Sequence, residues 1–409
     1  MNKVKRGVVY LILVVFGFSG FSSAETIVKA IRTSSPPSID GKLEDSCWKK
    51  AKPVTNFRIY NANKPAKLQT IGYVLYDDNN IYIGMKCLEP DINSIKTEKR
   101  KHDKGAYSDD CIEVMLDPTL SRNDYFHFIV NASGSKYDEA RSQGGYVSDS
   151  KWNGEWKAAS FIGKDYWSSE VAIPFYTLGI TPAVKSSWGI NLCRVKRKPY
   201  KELSSIAGKE AFNTAGSFAM LKGIDVDLKK YCYKVGKPVI STEMKDKKLN
   251  VKIDIPVKND TGKTRNLKLE CCLIDPKKNP MIKSNIVDIL SGKDETYPIG
   301  TFKLESQGEY DCYIFLNDAK TDKIVSLTKT KIPIEYIPMA INVIDPSYRY
   351  AIFETQNLKK IVFEVEQRLS KEKLKGAVLD VEIRKRNSSD AIVKKRISKP
   401  DVLERVTFK

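Results

Sequence analysis

The sequence predicts an all-β fold, a set of tandem antiparallel β-sandwiches behind an export signal. Three observations predict it. Apolar residues recur at every second position in short runs separated by polar turns, the signature of half-buried strands. The chain carries 20 Tyr, 15 Phe, 23 Gly and 18 Pro, residue types that strands and turns favour. Its 409 residues, at roughly 150 per domain, suit three such units. A hydrophobic fraction of 41% supplies real cores and excludes a wholly disordered chain.

Composition also narrows the chemistry. With only two histidines, His102 and His127, multi-His metal sites are nearly excluded, and a Ser-His-Asp or Cys-His arrangement would have to use one of the two. The net charge is +19, from 69 basic and 50 acidic residues. Such charge suits nucleic acid or another anionic polymer, or a solvated lysine-rich surface that guards sheet edges. The charges are scattered along strand-like segments, which favours the second reading, with no nucleic-acid partner.

Residues 1–24 read as a signal peptide. Lys3, Lys5 and Arg6 open it, an apolar run follows from Gly7 to Phe21, and Ser22-Ser23-Ala24 offers small residues for cleavage. The run is short against the roughly 20 residues of a spanning helix, and no later segment is long and apolar enough to cross a membrane. The expectation is an exported protein, periplasmic, extracellular or on the cell surface. Eight cysteines in that setting permit disulfides without being numerous enough to hold the fold.

Residues 25–225 read as the first sandwich. Ile71 to Tyr76 and Ile81 to Cys87 alternate around Asp77-Asp78-Asn79-Asn80, turn chemistry that makes a hairpin. Ile81, Ile83, Met85 and Cys87 share a face. Cys111 to Asp117 sets Ile112, Val114 and Leu116 against Glu113. Tyr125 to Asn131 sets Phe126, Phe128 and Val130 against His127. Trp167 to Pro174 and Trp188 to Val195 are further strands.

After a polar connection, residues 232–338 read as a second sandwich, with alternating strands at Leu249 to Val257, Leu267 to Leu273 and Tyr310 to Leu316. Tyr310 stands two residues before Cys312, as in the tyrosine corner of immunoglobulin-like sandwiches, so this unit resembles a generic sandwich of that kind. Cys271 and Cys312 are expected either as an inter-sheet disulfide or as two buried free thiols. Residues 339–409 read as a third β segment, either a small domain or part of a larger one, with strands near Ile361 to Glu366, Ala377 to Ile383, Val393 to Ile397 and Val402 to Phe408.

An ordered set of motifs in the first unit resembles the family 9 carbohydrate-binding modules, which occur attached to xylanases and other polysaccharide-processing proteins. The pieces are Ile39-Asp40-Gly41-Lys42-Leu43, Cys47-Trp48-Lys49-Lys50-Ala51, Leu75 to Tyr82, Asp109 to Asp117, Tyr125 to Asn131 with Gly134, Trp152 to Ala159, Trp167 to Phe175 and Trp188 to Arg194. They span about residues 36–222. The resemblance implies a β-sandwich that grips sugar between two aromatic rings while polar side chains read the hydroxyls. Sugar rings have apolar C–H faces that stack on aromatic rings, and their hydroxyls need hydrogen-bond partners.

On that pattern Tyr107 stands where one clamp aromatic is placed, and Glu113 where a sugar-binding carboxylate is found. Ile206 occupies the position of the second clamp aromatic, for which Phe212 is the available substitute. His127 and Trp152 complete the expected ligand-binding set. Each residue also has a purely structural reading: Tyr107 as a loop anchor, Glu113 as a salt-bridge partner of Lys86 or His127, His127 as a satisfied structural histidine, Trp152 with Trp156 as cover for a sandwich edge. The family can carry structural calcium. Asp77, Asp78, Asp109 and Asp110 are the oxygen donors available for it, and the alternative is ordinary turn chemistry.

The expected function is a secreted, non-catalytic binder of a poly- or oligosaccharide, linked to polysaccharide degradation and partnered with a glycoside hydrolase. One alternative is a structural or protein-interaction protein of the cell envelope with a degenerate sugar site. The other is a glycoside hydrolase acting on O-glycosyl bonds, which would need two carboxyl groups about 5.5 Å apart for retention or about 6.5–9.5 Å for inversion. No spacing among Asp110, Glu113, Asp138 and Glu139 marks such a pair.

Overall fold

The computed structural model describes residues 26–62, 64–208, 210–245, 248–336, 339–346, 360–367, 374–384 and 390–408. The segment read as an export signal lies outside them. Among the described residues the protein is nearly all β, built from packed antiparallel sheets, and no helix is long and apolar enough to cross a membrane.

The first sandwich pairs a nine-stranded sheet with a five-stranded one. The hairpin around Asp77–Asn80 forms as its turn chemistry dictates. Asp77 Oδ1 accepts from the backbone N–H groups of Asn79 and Asn80 at 2.7 and 2.8 Å, and the Tyr82 hydroxyl donates to its other oxygen at 2.7 Å. Ile81, Ile83, Met85 and Cys87 face the inter-sheet core together with Ile112, Val114, Leu116, Phe128 and Val130, as alternation requires. Two short pairings are parallel. Ile27–Lys29 runs beside Ala219–Lys222 in the larger sheet, and Ile31–Arg32 beside Leu75 and Tyr76 in the smaller one. The first described strand thus changes sheets at Ala30 and closes one edge of the sandwich, an arrangement that local patterning does not encode.

The outer face of the smaller sheet is covered by the segment around Trp48. Glu170 is fully buried there and accepts from Trp48 Nε1 at 2.7 Å and from the backbone N–H groups of Asp40 and Gly41 at 2.9 and 2.8 Å. Gly84 lies directly across from Glu170, and a Cβ there would lie 3.2 Å from the Trp48 ring. Gly41 sits at φ +89° with the Ser160 backbone 2.5 Å from where a Cβ would be, so only glycine fits both its conformation and its surroundings.

The second sandwich sets Tyr233–Val235, Val239–Lys245, Lys248–Asn259 and Asp294–Leu304 against the sheet of Arg265–Ile274, Pro280–Ile289, Gly308–Asp318 and Ile324–Ile334. The Tyr310 hydroxyl donates to the Ser306 carbonyl, four residues earlier, at 2.8 Å. The disulfide reading of Cys271 and Cys312 is corrected to its alternative. Both are free thiols, buried in the inter-sheet core, with Cys271 Sγ 3.7 Å from Cys312 Sγ against about 2.05 Å for a bond.

The connection read as polar is partly internal. Leu228, Tyr231 and Cys232 are buried, and the apolar cluster runs through them without a break from the first sandwich into the second. Lys329 of the second sandwich pairs with Glu155 of the first at 2.7 Å. Farther on, Met339–Asp345, Ile361–Gln367 and Leu403–Phe408 form a three-stranded sheet, and Val378–Arg384 pairs with Ala391–Ser398. Val365, Leu379, Val406 and Phe408 make a separate small core.

Glu170→Ala would leave three donors, two of them buried, without an acceptor. We expect it to destabilise the first sandwich by about 3 kcal/mol, read as a lower urea midpoint, together with protease cleavage between residues 38 and 51 that the native protein resists. Unchanged stability would show that Glu170 is not the anchor of that segment.

Candidate functional site

The outer face of the nine-stranded sheet holds the site. Cys111–Asp117, Tyr125–Asn131 and Lys136–Ser142 are consecutive antiparallel neighbours. His127 lies directly across from Glu139, and Glu113 is its diagonal neighbour on the other side, within side-chain reach. His127 Nδ1 donates to Glu139 Oε1 at 2.8 Å and His127 Nε2 to Glu113 Oε2 at 3.0 Å. A ring that donates from both nitrogens is an imidazolium. Burial opposes that charge, but the two carboxylates outweigh burial and raise the His127 pKa above its ordinary 6.5. His127 and Glu139 are 3% and 2% exposed.

Glu139 is saturated. Its Oε1 also accepts from Arg141 Nε at 2.6 Å, and its Oε2 from the Tyr137 hydroxyl at 3.0 Å and from the Ser148 hydroxyl. Burial would push its carboxyl up, yet His127, Ser148 and Arg141 together hold it well below the usual carboxylate range. Glu113 differs. Its Oε2 belongs to His127, while among the described residues its Oε1 has no hydrogen-bond partner. Arg141 Nη2 is likewise without an acceptor among them, since Nε and Nη1 are used on Glu139 and the Gly145 carbonyl.

Aromatic rings wall this polar row. Tyr107 is 47% exposed and meets Tyr137 edge to face, ring centroids 5.3 Å apart. Tyr60 meets Phe212 edge to face at 6.1 Å. Together with Glu113, His127, Glu139, Arg141, Leu203 and Asn213 these rings line a concavity of about 590 Å³, within the range of about 300–1,000 Å³ of small-ligand sites. The loop bearing Phe212 is tied across the sheet by Asn191 Nδ2, which donates to the Phe212 carbonyl at 3.2 Å, and by the Tyr125 hydroxyl, which donates to the Asn213 carbonyl at 3.1 Å.

The structure therefore gathers Tyr107, Glu113, His127 and Phe212 into one hollow. It does not bring Trp152 there. The Trp152 ring packs on Phe126 and Phe128, centroids 4.9 and 5.8 Å away, on the sheet face opposite His127. Residues two apart on a strand share a face, and Trp152 joins the even-numbered, core-facing set. Ile206 is buried in the inter-sheet core and is no clamp. Glu113 pairs with His127 and not with Lys86, which lies in the other sheet with its ammonium 3.9 Å from the Tyr166 ring centre. Tyr60, Tyr137 and Arg141 are members that sequence reasoning missed. The alternation of Tyr137, Glu139 and Arg141 along one strand was the available signal for two of them. Tyr60 arrives through long-range pairing, its N–H donating to the Leu203 carbonyl at 2.8 Å.

The paired aspartates do not fit a calcium site. Buried Asp109 receives Arg100 Nε at 3.0 Å, Asn131 Nδ2 at 2.9 Å and the Glu98 N–H at 3.2 Å. Buried Asp110 receives the backbone N–H groups of Lys96 at 2.6 Å and Arg197 at 3.0 Å. Asp78 pairs with Arg32. Calcium wants six to eight oxygens, and these carboxylates face donors. Asp109 and Asp110 instead anchor the loop that presents Tyr107, whose carbonyl accepts from Arg197.

Residues 39–211 match the family model described as carbohydrate family 9 binding domain-like, a span that holds every lining residue of the hollow except Phe212 and Asn213. Similar solved structures include a carbohydrate-binding module family 9 from Caldicellulosiruptor kristjanssonii in complex with glucose (16% identity, 48% of this chain and 94% of that one, TM-score 0.36). The same source gives one in complex with cellotriose (18% identity, 49% and 95%, TM-score 0.36). A putative carbohydrate-binding protein from Bacteroides uniformis ATCC 8492 is similar at 14% identity, with 48% and 99% coverage and a TM-score of 0.40. No curated protein matches the chain.

The raised His127 pKa means that its stabilising charge is fully present below pH 6.5 and is lost as pH rises through the folded-state value. The depressed Glu139 pKa gives stability that is present above 4.5 and lost as pH falls. The network is therefore strongest between these two values. His127→Gln should carry a stability penalty that shrinks steadily above pH 6.5 in urea titrations, and a penalty independent of pH would refute the imidazolium assignment.

Proposed function

We propose that this chain is an exported, non-catalytic carbohydrate-binding protein whose first sandwich holds a poly- or oligosaccharide in the Tyr107 hollow. The observation that carries this reading is the pairing of rings with unspent polar groups. Tyr107, Tyr137, Tyr60 and Phe212 offer apolar surface, while Glu113 Oε1 can accept and Arg141 Nη2 can donate. Sugars present both kinds of complement, flat C–H faces and hydroxyls that donate and accept. The family match over residues 39–211 supports the same reading, and the basic, apolar and small-residue order of residues 1–24 supports export.

Hydrolysis is less well supported. A glycosidase needs one carboxyl group whose pKa is raised so that it can act as the acid. Glu139 is held far below the ordinary range, and the same imidazolium joins it to Glu113; Asp110, whose carboxyl burial raises, is not in the lining of the hollow and accepts from the Lys96 and Arg197 N–H groups. The link to polysaccharide degradation is thus best placed outside this site, in a glycoside hydrolase acting beside it.

Calorimetric titration with neutral oligosaccharides, backed by a glycan array, tests the proposal. Because the lining contains tyrosines and phenylalanine but no tryptophan, tryptophan quenching is a poor readout. Tyr107→Ala, at a half-exposed position, should weaken binding about tenfold with little change in thermal stability. Glu113→Gln should weaken it comparably through the lost charged acceptor. Absence of any glycan response from the native protein would overturn the reading and favour the envelope interaction protein.

A further inference from the structure

A second cavity, of about 260 Å³, lies between the first and second sandwiches. The Asp78-Asn79 turn contributes one wall, Lys230, Tyr231 and Tyr233 of the connection another, and Arg265, Asp318 and Lys323 the third. Its charges are unevenly satisfied. Asp318 Oδ1 is consumed by its own turn, accepting from the Lys320 N–H at 3.2 Å and from the Thr321 N–H and hydroxyl at 2.9 Å each. The Asp78 carboxylate is taken by Arg32.

The cations are less well met: burial would push the Asp318 carboxyl up, its turn donors and the nearby Arg265 hold it low, and that is the acid Arg265 acts on without bonding to it. Arg265 Nε is sealed from solvent without a hydrogen-bond acceptor, and among the described residues neither Arg265 nor Lys323 makes an ion pair. Lys230 Nζ donates to the Asp78 carbonyl at 2.9 Å and lies 4.9 Å from the Tyr231 ring centre. Burial holds its ammonium below the ordinary lysine range, with Lys323 adding to the effect against Asp78. A buried donor left without an acceptor is costly, and a guanidinium fork matches planar or tetrahedral oxyanions.

We propose that this interdomain cavity is an oxyanion-binding site, separate from the Tyr107 hollow, in which Arg265 and Lys323 grip the carboxylate of an acidic sugar or a phosphate group. Binding there would join the turn of the first sandwich to the second and stiffen the junction. The site would let the chain take an anionic group while the aromatic hollow takes a neutral ring.

Full-length protein titrated calorimetrically with inorganic phosphate and, separately, with glucuronate tests this. Saturable binding of either probe is expected, weakened about tenfold or more by Arg265→Met and also by Lys323→Met, whose exposed position makes it safe for folding. Tyr107→Ala should leave this binding unchanged, so failure here and failure of the sugar reading are read apart. A response to glucuronate alone assigns the carboxylate of an acidic sugar, and a response to phosphate alone assigns a phosphorylated ligand. Lack of saturable binding by both probes, or binding that survives both substitutions, would overturn the proposal.

Discussion

A charged imidazolium held between two carboxylates is the constraint on which the first sandwich's outer face depends. Taking such ions out of water costs several kcal/mol each, and close pairing offsets that only when the remaining donors and acceptors are also met. Here His127 uses both nitrogens and Glu139 uses all its acceptor positions. The arrangement fixes strand register, because a slip by one residue would drive His127 into the core among the partners of Phe126 and Phe128. It also reaches the rings. Glu139 holds the Tyr137 hydroxyl, and Tyr107 leans on the Tyr137 edge. The exposed platform is therefore positioned by a buried proton two residues of contact away.

Other buried carboxylates work in the same way at longer range. Glu170 gathers Asp40, Gly41 and Trp48 from about 130 residues earlier in the chain. Glu89 sits between Arg194 and Lys196, all three almost fully buried. Asp109 joins Arg100 to Asn131, while Asn131 in turn caps its own loop through Ser133 and Ser135. Glu170 and Asp109 satisfy backbone and side-chain donors of segments that pack against the sheets, whereas Glu89 neutralises two cationic side chains of the strand Trp188–Lys196. That is why Asp78, Asp109 and Asp110 face donors rather than a metal cation.

The all-β class and the principal strands were legible because burial on one face enforces a period of two, and that period survives in any register. Glu113 and His127 were placed on the outer face by the same argument. What alternation cannot carry is the choice of partner: it allowed Lys86 as readily as His127, and only sheet order separates them. Trp152 was misplaced because it belongs to a loop, where no period assigns a face, and the core beneath Phe126 and Phe128 claimed it. Ile206 and Phe212 show the same limit, since which of them faces the hollow depends on how the loop after the 202–205 strand folds back. Tyr60 was invisible because it follows a strand of two residues, Arg58–Ile59, that exists only through its partner some 145 positions later. The free thiols of Cys271 and Cys312 were one of two outcomes the sequence left open, since alternation puts both in the same core; what it could not show is that their strands are neighbours in one sheet and not partners across the sandwich.

The selectivity proposed for the hollow follows from what has already been spent inside it. With Glu139 saturated and both His127 nitrogens engaged, and beside the unpartnered Asn213 Oδ1, the charged groups of the lining that keep an open position among the described residues are Glu113, an acceptor, and Arg141, a donor. Both side chains are held by the network, so a guest meets groups whose orientation is already settled and little side-chain entropy remains to be lost. A purely apolar guest would strand these charged groups away from water, which costs more than the ring contacts return. A fully charged guest would meet a row that is already neutral, with Glu113 and Glu139 balanced by His127 and Arg141. The arrangement suits a neutral molecule with a hydroxyl to donate, another oxygen to accept, and a flat apolar face broad enough for a tyrosine ring.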